Sequence, residues 1–111
     1  MNSGLTESTA AQIRAVFANH PEVETVILYG SRAKGNYRQG SDIDLTLLGG
    51  GMTPNILSRI RNDFDDGSLP YRFDLSILSQ VTDADLIDHI RRVGVVFYEK
   101  DPIGSGLRFD S

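Results

Sequence analysis

The sequence predicts an α/β fold, with a mixed sheet of about four strands flanked by helices. Two observations lead there. Segments with strand-type alternation and segments with helical spacing follow one another along the chain. Glycine, proline or a capping residue separates most of them. A third observation is the length: 111 residues, 40% of them hydrophobic, suit one hydrophobic core and leave little for a second. A single domain over residues 1–111 is expected, with its core at about 6–100 and a tail at 101–111.

Thr6 to Asn19 reads as a helix capped by Thr6 or Ser8, with Ala10, Ile13, Val16 and Phe17 on one face. Glu24 to Tyr29 is short and β-rich, and Gly30 ends it. A turn or short helix from Ser31 to Gly35 precedes a polar loop that runs to Ser41. Asp42 to Leu48 alternates: Ile43, Leu45 and Leu47 point one way, Asp42, Asp44 and Thr46 the other. Gly49-Gly50-Gly51 stops this strand. Thr53-Pro54 is a cap followed by proline at the first helical position, starting a helix to Asp66 that buries Ile56, Leu57, Ile60 and Phe64.

Tyr71 to Leu78 is a third strand, with Phe73, Leu75 and Ile77 opposite Asp74 and Ser76. Thr82 or Asp83 caps a helix through Val93, with Leu86, Ile87 and Ile90 facing in, and Val95 to Tyr98 makes a fourth strand. The long helix between the second and third strands permits a parallel crossover; the shorter link before it fits either sense. Glu99 to Ser111 is polar, with Pro102, Gly104 and Gly106, and the tail is expected to be flexible or partner-binding.

Composition narrows the function. There is no cysteine, hence no disulfide, no thiolate zinc site and no cysteine nucleophile. Met1 to His20 lacks the pattern of a secretory signal, and no apolar run reaches membrane-spanning length, so a cytoplasmic protein is expected. Net charge is −4, against the basic stripe of a sequence-independent nucleic-acid binder, so no direct nucleic-acid binding is expected. Arg32, Lys34 and Arg38 form one local basic patch, suited to a single phosphate chain.

The chemistry concentrates around that patch. Asp42 and Asp44 leave the same strand face, with Cα atoms roughly 6–7 Å apart. Like charges so placed repel unless a cation sits between them, and Mg²⁺ suits carboxylates, phosphate oxygens and water. Two such ions can clamp the attacking and leaving oxygens of a phosphoryl displacement. At Gly30-Ser31 a glycine allows close backbone approach, and amides with the Ser31 hydroxyl can bind phosphate. Asp74 joins the pair if its strand lies beside that of Asp44, and can then orient a hydroxyl or take its proton.

In this order the motifs resemble the DNA polymerase beta-type nucleotidyltransferases: Tyr29-Gly30-Ser31, Asp42-Ile43-Asp44-Leu45, then Phe73-Asp74-Leu75. Gly30-Ser31-Arg32-Ala33-Lys34-Gly35 with Ser41-Asp42-Ile43-Asp44-Leu45 is similar more narrowly to the minimal, MntA-like nucleotidyltransferases, which usually carry Arg in place of Lys34. The resemblance spans about Val23 to Lys100. It implies transfer of AMP from ATP to a hydroxyl, with release of pyrophosphate. It also implies a hetero-oligomeric HEPN toxin partner whose tyrosine is the acceptor, and an antitoxin role. By the same resemblance Asp42 and Asp44 would hold two Mg²⁺ ions, and Asp74 the catalytic ion and the acceptor. Gly30 and Ser31 would bind the β- and γ-phosphates, and Arg32 the phosphate or acceptor. The alternatives are an antitoxin acting by binding alone, or a transferase for a small molecule.

Other residues carry bland expectations. His20 is a helix C-terminal cap, and His89 lies on a polar flank. Tyr37 is a partly buried loop tyrosine, and Asp63, Asp65 and Asp66 form a solvated acidic helix end. No residue reads as a base reader.

Overall fold

The structure is a computed structural model; it describes residues 4–38 and 40–100. The expected tail, 101–111, lies outside the described residues. Helix α1 is Glu7–Ala18, capped by the Thr6 hydroxyl, which accepts from the Thr9 amide. Strand β1 is Thr25–Tyr29, and the short helix α2 is Ser31–Lys34. Strand β2 is Ile43–Leu48, and helix α3, Pro54–Asp66, starts on the Thr53 cap. Strand β3 is Phe73–Ile77, followed by a 3-10 turn at Leu78–Gln80. Helix α4, Ala84–Val93, is capped by Asp83, and strand β4 is Val95–Glu99.

The sheet order is β3-β2-β1-β4. Strands β1 and β2 pair antiparallel across the α2 loop, β4 pairs antiparallel with β1, and β2 with β3 is the parallel pair across α3. The mixed four-stranded sheet is therefore as expected. The alternation of β1, β2 and β3 directs Val26, Leu28, Ile43, Leu45, Leu47, Leu75 and Ile77 into one core with Ile13, Phe17, Leu57, Ile60 and Phe64. Phe64 joins the layers, edge-on to Phe17 of α1 at 5.5 Å and stacked on Phe73 of β3 at 4.2 Å.

Both edge strands are blunted by arginine. Arg14 donates from Nε to the Phe97 carbonyl at 2.8 Å, where the β4 register shifts, and Arg61 donates to the Leu75 carbonyl of β3 at 3.1 Å. Edge carbonyls so occupied are poor templates for pairing with another chain. No helix among the described residues is long and apolar enough to cross a membrane.

Three local expectations are corrected. His20 does not cap with its ring: Asn19 is the C-cap, and His20 Nε2 lies 2.6 Å from Asp63 Oδ2, joining α1 to α3. Asp63 is thus a paired member of the acidic end, while Asp65 and Asp66 remain exposed. His89 is not on a free polar flank: it is half-buried, edge-on to the Tyr29 ring at 6.2 Å. Thr46 shares the face of Asp42 and Asp44 as expected, paired with Ser76 two residues on from the Asp44–Asp74 pair, and it is fully buried because β3 and the turn after it cover that end of β2.

The burial of Thr46 has a measurable consequence. Its hydroxyl accepts a 2.9 Å hydrogen bond from Ser76, its partner in the parallel register. Thr46→Val leaves the Ser76 hydroxyl without that acceptor, at an expected cost of about 1 kcal/mol, read as a lower urea midpoint with an unchanged slope.

Candidate active site

Strand pairing assembles the acids. In β1–β2 Tyr29 lies opposite Asp44; in β2–β3 Asp44 lies beside Asp74. Residues paired this way point to the same side of a sheet, about 5 Å apart at the backbone. Asp42 stands one residue before β2 and, by alternation, shares the face of Asp44. The Ile43 amide donates to the Arg72 carbonyl at 2.9 Å, which extends the parallel ladder to the start of β2. Thr46 and Ser76, one step further on the same two strands, fasten that register.

The electrostatics follow from this placement. Asp42 and Asp74 are exposed and Asp44 is half-buried between them. Burial first, then the negative charges of Asp74 and Asp42, push the Asp44 carboxyl up from 3.8 to about 6. The Tyr29 phenol is also raised. Burial is the main cause; a side-chain hydrogen bond with Ser76 opposes it, and the charges of Asp74 and Asp44 add to it. The fold thus holds negative charge where the surrounding residues disfavour it.

The three acids share a face without closing on one point. Among the described residues no three His, Cys, Asp or Glu side chains form a ready-made metal cage. The donor set nevertheless suits a hard divalent cation: oxygen ligands only, with a central carboxylate that would gain from positive charge.

Gly30 borders this site. It has φ +79° and ψ −157°, a conformation essentially reserved for glycine. A Cβ there would lie 2.2 Å from Asp44 Oδ2. The strand therefore leaves the sheet in direct contact with the central carboxylate, which only a missing side chain permits. Ser31 then opens α2, and Gly35 closes it in the left-handed region, with its amide on the Ser31 carbonyl.

Of the residues expected at the site, the structure brings Asp42, Asp44, Asp74 and Gly30 together, with Ser31 next in the chain. Arg32 is different. It is 3% exposed, and its guanidinium donates to the Ser41 carbonyl from Nε at 3.2 Å and from Nη2 at 3.0 Å. It also lies over the rings of Tyr37, at 5.2 Å, and Tyr71, at 5.3 Å. Tyr37 is accordingly packed under Arg32. The Thr46–Ser76 pair and the Tyr29–His89 contact had no part in the sequence reading. The repeated spacing Asp44-x-Thr46 and Asp74-x-Ser76 is the signal that points to the former.

Known proteins resemble this chain in sequence and in fold. The family described as polymerase beta, nucleotidyltransferase, matches residues 11–103. A curated relative, the probable protein adenylyltransferase MntA of Haemophilus influenzae, is 35% identical over 78 residues, covering 69% of this chain and 68% of the relative. A crystal structure of a toxin–antitoxin with AMP-PNP superposes with a TM-score of 0.60 at 20% identity, over 86% of this chain and 74% of that one. A structure of tri-AMPylated Shewanella oneidensis HEPN toxin in complex with MNT antitoxin gives 0.54 at 18% identity, over 81% and 69%. These two likenesses show the fold. The family match and the curated relative show more: the chain belongs to the polymerase beta-type nucleotidyltransferases, in their MntA-like branch.

Proposed function

We propose that this nucleotidyltransferase domain, residues 1–111, is a Mg²⁺-dependent protein adenylyltransferase. It moves AMP from ATP to a tyrosine hydroxyl of a HEPN toxin and so acts as that toxin's antitoxin. One observation carries the reading most: Asp44 is held between Asp42 and Asp74 and against Gly30, with its carboxyl pushed up to about 6. Such a carboxylate is poised for a cation. The adenylyltransferase name of the Haemophilus relative and the AMPylated toxin in the Shewanella complex support the acceptor.

In this reading Asp42 and Asp44 would hold two Mg²⁺ ions, and Asp74 would help hold the catalytic one. The ions would supply charge neutralisation at the triphosphate. Gly30 and Ser31 bind the β- and γ-phosphates through backbone approach and the Ser31 hydroxyl. Asp74 orients the acceptor hydroxyl and takes its proton. The acceptor oxygen bonds to the α-phosphorus, the bond from that phosphorus to the oxygen bridging to the β-phosphate breaks, and pyrophosphate leaves. The exposure of Asp42 and Asp74 fits an acceptor brought by another protein.

The test is intact-mass analysis of the co-expressed partner after incubation with Mg²⁺ and each NTP in turn. A gain of one or more AMP units with ATP is expected, absent with Asp44→Asn. No gain with any nucleotide, together with continued neutralisation of the partner, would replace transfer by binding alone.

A further inference from the structure

We infer that Arg32 is a positioning residue that sets Asp42 against the rest of the site, rather than a phosphate ligand; this rests on the site proposed above. Four segments meet at its guanidinium. Arg32 belongs to α2, directly after Gly30 and Ser31. Its Nε and Nη2 both donate to the carbonyl of Ser41, the residue before Asp42. One ring against it, Tyr37, belongs to the loop between α2 and β2; the other, Tyr71, stands three residues before Asp74. Backbone at Gly4 closes the cluster, where a Cβ would lie 2.9 Å from Arg32 Nη1 and 2.5 Å from the Tyr37 ring.

The consequence is geometric. Asp44 and Asp74 are fixed by strand pairing, but Asp42 lies outside β2 and has no ladder of its own. The loop before it turns on itself at Ser41. There the Arg38 amide donates to the Ser41 hydroxyl at 2.8 Å, and the Ser41 amide donates to the Arg38 carbonyl at 2.9 Å. Arg32 ties that small turn to α2, and therefore Asp42 to Gly30 and Ser31. A planar guanidinium does this with two donors to one carbonyl while stacking on aromatic faces; an ammonium cannot do both. Buried at 3% exposure and engaged in this way, Arg32 is placed to hold the loop.

Arg32→Lys and Tyr71→Leu separate the roles. The full-length chain is titrated with Mg²⁺ at a fixed concentration of a non-hydrolysable ATP analogue, and transfer is measured on the partner. Positioning predicts that Arg32→Lys raises the Mg²⁺ needed for half-saturation about tenfold and lowers kcat by about as much. Nucleotide affinity at saturating Mg²⁺ should stay within about threefold of wild type. Tyr71→Leu, which leaves the charge of Arg32 intact, should shift the Mg²⁺ requirement the same way by about threefold. The amides of Asp42 and Ile43 should exchange hydrogen faster in both variants, with α3 unchanged.

Weakened nucleotide affinity at saturating Mg²⁺ with an unchanged Mg²⁺ requirement would overturn the inference in favour of a phosphate contact. So would a Tyr71→Leu protein that behaves as wild type, which also decides the matter if Arg32→Lys fails to fold. Wild-type protein that binds Mg²⁺ and the analogue but transfers nothing would sink the transfer reading alone.

Discussion

Asp44→Asn is expected to abolish transfer, by about 10³-fold or more, while making the metal-free protein more stable at neutral pH. The two effects share one cause. Asp44 is half-buried beside Asp74 and near Asp42, and its carboxyl is pushed up from 3.8 to about 6. A raised folded-state pKa means that the folded protein holds this proton more tightly than the unfolded chain. The associated stability is fully present below about 4 and is lost as pH rises through about 6. At pH 7 to 8 the ionised group therefore weakens the fold, by about 1–2 kcal/mol once solvent screening is allowed for. Asparagine keeps the shape and removes the charge. The variant should melt roughly 5 °C higher than wild type at pH 7.5 and no higher at pH 4. Addition of Mg²⁺ and ATP should reverse the order, stabilising wild type and leaving the variant unmoved. Thermal melts at two pH values, with and without Mg²⁺–ATP, check all of this. A variant less stable than wild type at pH 7.5 without metal would contradict it.

Gly30→Ala should damage the same site from the other side. The backbone there has φ +79° and ψ −157°, and the new methyl would meet Asp44 Oδ2 at 2.2 Å. Conformational strain alone costs about 1–3 kcal/mol, and displacing the central carboxylate adds to the loss of activity, expected to be about 10²-fold. Gly35→Ala is the matched comparison. It shares a positive φ, +83°, but an added Cβ there meets nothing within 4 Å. It should lose about 1 kcal/mol of stability and keep most of its transfer activity. If both variants lost activity in proportion to stability alone, close approach at Gly30 would have no special role. Chemical denaturation paired with transfer rates for the two proteins makes the comparison.

The fold was readable because its local signals agree with one another. Thr6, Thr53 and Asp83 all cap the helices expected of them, and the alternation in Asp42 to Leu48 and Tyr71 to Leu78 assigns the core face of β2 and β3. Strand neighbours were less accessible. The carboxylates meet because β2 and β3 are adjacent, parallel and in a register that sets Asp44 beside Asp74, and adjacency is a tertiary property. Thr46 shows the same limit: its alternation places it beside the acids, but only the packing of β3 and the turn at Leu78–Gln80 makes it buried. Arg32 was legible as a cation directly after Gly30 and Ser31. Tyr37 lies in the adjoining loop, but the burial of Arg32 also depends on Tyr71, from a segment distant in sequence, which no local pattern displays. His20 and His89 are similar cases, since their partners, Asp63 and Tyr29, come from other elements.

The central claim is that Gly30, Asp42, Asp44 and Asp74 form one metal–nucleotide site. It is tested most directly by titrating Mn²⁺ with a non-hydrolysable ATP analogue into isotope-labelled protein and following paramagnetic broadening of the backbone amides. Broadening centred on residues 30–31, 42–44 and 74, and absent in Asp44→Asn, is the predicted result. Broadening centred instead on the acidic end of α3, at Asp63, Asp65 and Asp66, or persisting unchanged in Asp44→Asn, would contradict it.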